Sequence, residues 1–135
     1  MASIRKEFSV AADADQVWDA FSDVGEVHRR LAPGFVTACR MDGDGRIVTF
    51  ANGFVARELI VDLDGAARRL AYSARSERLQ HHHASFQVLE DGNGRCRIVW
   101  IADVLPHAAA AMVGAMMDEG VAVMSKTLGG HSRAA

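Results

Sequence analysis

The chain has few of the residues that announce chemistry by themselves. Among its 135 residues are two cysteines, Cys39 and Cys96, and two prolines. No CxxC pair exists to bind zinc or shuttle electrons. Without a secretory signal, two free thiols are expected rather than a disulfide. Charge of one sign is not in excess: the net charge is −2 at neutral pH, and lysines and arginines are scattered. No basic stripe supports nucleic-acid binding. The N-terminal residues alternate in polarity and contain no apolar signal core. No stretch reads as a membrane span, because the last apolar segment carries Asp118, Glu119 and Lys126. These absences make a cytoplasmic protein the expectation. Also missing are a GxGxxG after a strand, a GxSxG elbow and a glycine loop ending in Gly-Lys. No cofactor is expected.

What is present is ordinary globular composition, half hydrophobic and 24% charged. A chain of this length is read as a single domain over residues 1–135. Residues 3–10 alternate with period two and predict a strand. Asp13 offers an N-cap to a short helix in which Val17, Phe21 and Trp18 share one face. A second short helix, about 26–31, is stopped by Pro33-Gly34.

Strand-like segments follow at 35–41, 46–50, 54–63, 69–75, 80–90 and 95–105. Turn signals separate most of them, among them Asp42-Gly43-Asp44-Gly45, Asn52-Gly53, Asp64-Gly65 and Asp91-Gly92-Asn93-Gly94. Short turns predict an antiparallel meander, and no βαβ unit appears. Residues 107–128 then predict a nearly charge-free helix, about 33 Å long. Its apolar stripe is Ala110, Val113, Met117, Gly120, Met124 and Leu128, widened by Met112, Met116, Val121 and Val123. Gly129-Gly130 should end it, and the tail 131–135 should fray. A long apolar helix across a curved sheet encloses a hydrophobic space, which suits a small apolar molecule.

Strand parity sorts the candidate residues. Phe86, Val88, Ala84 and His82 share one side, so His81 and His83 face out. The three consecutive histidines therefore cannot converge on one metal, and no metal site is expected. Trp100 shares a face with Cys96, Ile98, Ala102 and Val104, while Tyr72 goes with Leu70 and Ala74. Both are either plain core or pocket walls whose polar atoms need partners. Asp103 and Arg97 read as surface. Glu58 lies opposite the apolar set at 55, 59, 61 and 63. It is solvated if that set faces the helix, and in the cavity as an acid or base if it does not. The usual burial of apolar faces favours the first.

Three groups of residues carry a resemblance to a known superfamily. Ala11-Ala12-Asp13-Ala14-Asp15-Gln16-Val17-Trp18 looks like its first-helix motif. Val55-Ala56-Arg57-Glu58-Leu59-Ile60, Asp64 and Arg69-Leu70-Ala71-Tyr72 look like its central strand pair. Gly94-Arg95-Cys96-Arg97-Ile98-Val99-Trp100, closed by Pro106, looks like its last strand. In these motifs and in element order the chain resembles the START-related (SRPBCC) superfamily. That superfamily includes polyketide cyclase/dehydrase-like proteins and birch-pollen-allergen lipid binders.

The resemblance implies an α+β helix-grip fold, a curved antiparallel sheet of about seven strands wrapped on the terminal helix. It also implies that the first strand lies between the second and the last. Cys39 and Cys96 would then be about 9.6 Å apart, beyond disulfide reach. His28 stands where such relatives often have Trp, and His81-His82-His83 where they tend to have Asn or Tyr.

Three functions are weighed. The first is binding of a hydrophobic or aromatic molecule by His28, Tyr72, His82, Phe86, Trp100, Met112, Val113, Met116, Met117 and Gly120. The second is a polyketide aromatase/cyclase using His82, His28 or Tyr72 for proton transfer. The third is an interaction role, with Val99 and Ile101 as a homodimer contact.

Overall fold

The structure is a computed structural model, and it describes residues 1–129. Strand β1 (Ala2–Val10) leads into helix α1 (Ala14–Ser22) and a π-helical turn, Val27–Leu31. Six strands follow: β2 (Val36–Asp42), β3 (Gly45–Phe50), β4 (Val55–Asp64), β5 (Arg69–Arg75), β6 (His81–Glu90) and β7 (Cys96–Leu105). A 3₁₀ turn, His107–Ala109, precedes helix α2 (Ala110–Gly129). Each boundary follows a local cause. Asp13 caps α1 by accepting from the Asp15 amide. Gly43, at φ +62°, allows the tight turn from β2 to β3. The second short helix is a π turn rather than an α-helix. The expected end of α2 at Gly129-Gly130 and the tail fall partly outside the described residues.

Seven antiparallel strands form one curved sheet in the order β1-β7-β6-β5-β4-β3-β2. This corrects the expected order. β1 pairs with β7 and β2 with β3, so the first two strands are opposite edges rather than neighbours. α1 and the π turn separate them in sequence, and a segment that long need not return as a hairpin. Both thiols are free; burial in apolar surroundings pushes Cys96 up to about 11 and also raises Cys39.

The inner face of the sheet holds the core. Phe21, Leu70, Ile98, Val88, Val104 and Cys96 are fully buried there. α2 contributes Val113, Met117, Gly120 and Met124, the spacing expected of its apolar stripe. Gly120 is required by close approach: a Cβ would stand 3.1 Å from Trp100 Cζ3 and 3.4 Å from Phe35 Cε2. By length and composition His107–Gly129 could cross a membrane, contrary to the sequence expectation, but here its stripe packs on the sheet. On the outer face Val99 is buried and Ile101 half-buried.

Candidate functional site

Between the sheet and α2 lies a cavity of about 100 Å³. Its floor is aromatic. Phe86 stacks on Trp100 (centroids 4.6 Å) and on Tyr72 (6.1 Å), and Phe21 closes on Phe86 from below (4.8 Å). The roof is α2, through Met112, Val113, Met116, Met117, Gly120 and Met124. Half-buried Phe35, Phe50, Phe54 and Leu79 complete the lining near the loops. Unbranched methionines in the roof adapt to more than one shape.

The polar part of the wall is a row running across the inner sheet face. Arg46 on β3 pairs with Glu58 on β4, and Glu58 pairs with Ala74 on β5. One position beyond the Ser73–His83 pair, Ala74 stands beside His82 on β6. Arg46 Nε donates to Glu58 Oε1 at 2.9 Å, and Arg46 Nη1 donates to the Val24 carbonyl at 3.0 Å. The two side chains are only 4% and 9% exposed, so the ion pair is buried. The guanidinium sits 5.5 Å from the Tyr72 ring centre. Tyr72 Oη accepts from Trp100 Nε1 at 3.1 Å. Burial, reinforced by the nearby Glu58 charge, pushes the Tyr72 phenol well up, so it stays protonated. Burial also lowers the His82 pKa below its ordinary value, against an opposing pull from Glu58, which keeps the imidazole neutral near neutral pH.

Nine of the ten sequence-chosen residues line this space: Tyr72, His82, Phe86, Trp100, Met112, Val113, Met116, Met117 and Gly120. His28 does not. It sits on the π turn, and its Nδ1 is buried without a hydrogen-bond partner among the described residues. Glu58 faces inward, against the favoured reading. Of the apolar set that argued otherwise, Val55 and Val61 are turned out, at 53% and 51% exposed. Arg46 was missed altogether. A signal existed for it: the turn at Gly43 sets the β2–β3 register, and parity with buried Val48 puts Arg46 inside. Among the described residues no cluster of three His, Cys, Asp or Glu side chains is placed to hold an ion.

Comparison with known proteins agrees with this architecture. A START superfamily protein from Mycobacterium smegmatis superposes with TM-score 0.71 at 17% identity, over 96% of this chain and 95% of that one. A protein from Thermobifida fusca superposes with TM-score 0.77 at 28% identity, over 95% and 91%. Norcoclaurine synthase from Thalictrum, solved with a transition-state analogue, gives TM-score 0.66 at 22% identity, over 97% and 96%. These likenesses concern the helix-grip fold. No curated protein matches the chain by sequence. The profile of one family does, over residues 1–129. The chain therefore belongs to the family described as polyketide cyclase/dehydrase and lipid transport.

Proposed function

We propose that the protein binds a hydrophobic or aromatic small molecule between its sheet and α2. The observation that carries this reading is an apolar, aromatic-floored cavity with a few convergent polar side chains in one wall. Ligand sites generally have that composition. The volume, about 100 Å³, suits a single ring or a short chain. Larger guests would need Met112 and Met116, both half-buried, to move aside. Trp100 in the floor is a built-in reporter. Titration with a one-ring aromatic should change its emission saturably, and Trp100→Phe should remove that change while binding persists by calorimetry. Absence of saturable binding by both methods would defeat the reading.

A second reading, an aromatase/cyclase-type enzyme, is supported by the titratable groups in the same wall. A neutral His82 can take a proton, and a protonated Tyr72 can give a hydrogen bond to a carbonyl. This reading rests on His82 and Tyr72, because His28 is not among the cavity-lining residues. Turnover of a poly-β-ketone substrate that is lost in His82→Ala would select the enzyme. Binding without turnover would select the carrier.

A further inference from the structure

The polar row has an electrical property that goes further than apolar binding, on which it rests. Arg46 and Glu58 cancel each other within the wall, and both are almost fully buried. The other two polar groups, Tyr72 and His82, carry no charge. The cavity is thus electrically balanced before any ligand enters. Among the described residues, Arg46 Nη2 and the Tyr72 hydroxyl hydrogen have no partner, although Arg46 Nε, Nη1 and Tyr72 Oη are all engaged. The guanidinium and the phenol ring are neighbours, 5.5 Å from guanidinium carbon to ring centre. Their unused hydrogens are donors available to a guest.

We propose that this wall selects an electrically neutral ligand carrying an oxygen acceptor, such as a ketone or aldehyde on an apolar body, and rejects carboxylates and amines of the same shape. A neutral oxygen takes hydrogen bonds from Arg46 Nη2 and Tyr72 without disturbing the ion pair. A carboxylate would enter beside Glu58 and compete with it for Arg46. One of two anions would then be left buried without full compensation, which is costly. An ammonium would meet Arg46 as a second cation. It would also find Glu58 already committed to a bond of 2.9 Å. The Arg46–Glu58 pair is a specificity device: it supplies donors and withholds net charge.

The test uses three compounds of one shape at neutral pH: 4-methylacetophenone, 4-methylbenzoate and 4-methylbenzylamine. Calorimetry on the wild-type chain should show the ketone binding about tenfold or more tighter than either ion. In Glu58→Gln the Arg46 charge is unbalanced, so the order should reverse in favour of the benzoate. Circular dichroism establishes whether that variant folds; if it does not, the wild-type ranking alone decides. Equal affinities for ketone and benzoate in the wild type would overturn charge selection and leave cavity binding standing. A folded Glu58→Gln that still prefers the ketone would also overturn it. Binding of none of the three would overturn both this inference and the function beneath it.

Discussion

Two regions of the inner sheet face, which share strand β6, are packed in opposite ways. At one end, Val10, Val88, Cys96 and Ile98 are filled in by α1, whose Phe21 is fully buried against Phe86. The end of α2 closes it, with a Cβ at Gly129 standing 3.4 Å from Val10. At the other end, Arg46, Glu58 and His82 replace aliphatic side chains, and α2 offers half-buried methionines instead of a second helix. Close packing stabilises the first end. The second leaves room, and it tolerates buried polar groups because each ionic one has a partner. Close packing and open space are therefore divided between two regions of one sheet rather than between domains.

Substitutions at the two ends should separate these roles. The largest effect is expected from Met117→Asp, which buries an unpaired charge under the sheet and should abolish soluble folding. Next, Phe21→Ala at the filled end should cost about 3–5 kcal/mol in urea unfolding. Met116→Ala at the open end should cost about 1 kcal/mol or less, because that side chain is only half-buried. Equal costs would erase the distinction. In binding rather than stability, His82→Ala should weaken a neutral aromatic probe by about 1 kcal/mol, with His81→Ala and His83→Ala unchanged. A loss at His83 instead would shift the functional register of β6 by one residue.

The pH dependence follows from the sign of the His82 shift. Its folded pKa lies below the ordinary 6.5, so the unfolded chain binds a proton that the folded chain refuses. Its contribution to stability should be intact above that value and decline as pH falls through it. His82→Phe should flatten that part of the stability profile. The smallest effect should be Asp118→Ala. It breaks an exposed pair with Lys6 Nζ, at 2.9 Å, and should change the melting free energy by about 1 kcal/mol or less.

The sequence made the element order readable because the turns are short and chemically marked, and parity correctly placed His82, Tyr72 and Trp100 on one face. It misjudged Glu58 for a physical reason. In β4 the larger apolar side chains, Val55 and Val61, point to solvent, while small Ala56 and charged Glu58 point inward. Hydrophobicity alone orients such a strand backwards. A β-bulge between Ile60 and Asp62 then changes its parity midway, which no fixed period can follow. Inside, Glu58 meets Arg46 across the β3–β4 pair, a partner that no single segment reveals. Strand order was hidden for a similar reason. β1 and β7 are joined by register across nearly the whole chain, and no local motif encodes that meeting.

The open strand order has a mechanical meaning. A barrel closed by hydrogen bonds has a circumference fixed by its strand number and shear. This sheet is a gutter with two free rims, β1 and β2, joined to neighbours on one side only among the described residues. Its width is set by side chains packed in the trough and by the helix that bridges it, not by a closed ladder. The rims can therefore move apart or together while every backbone pair along β2–β3 and β1–β7 stays made, so if a guest is bound as proposed above, its size would be met by elastic spreading of the trough rather than by breaking the ladder.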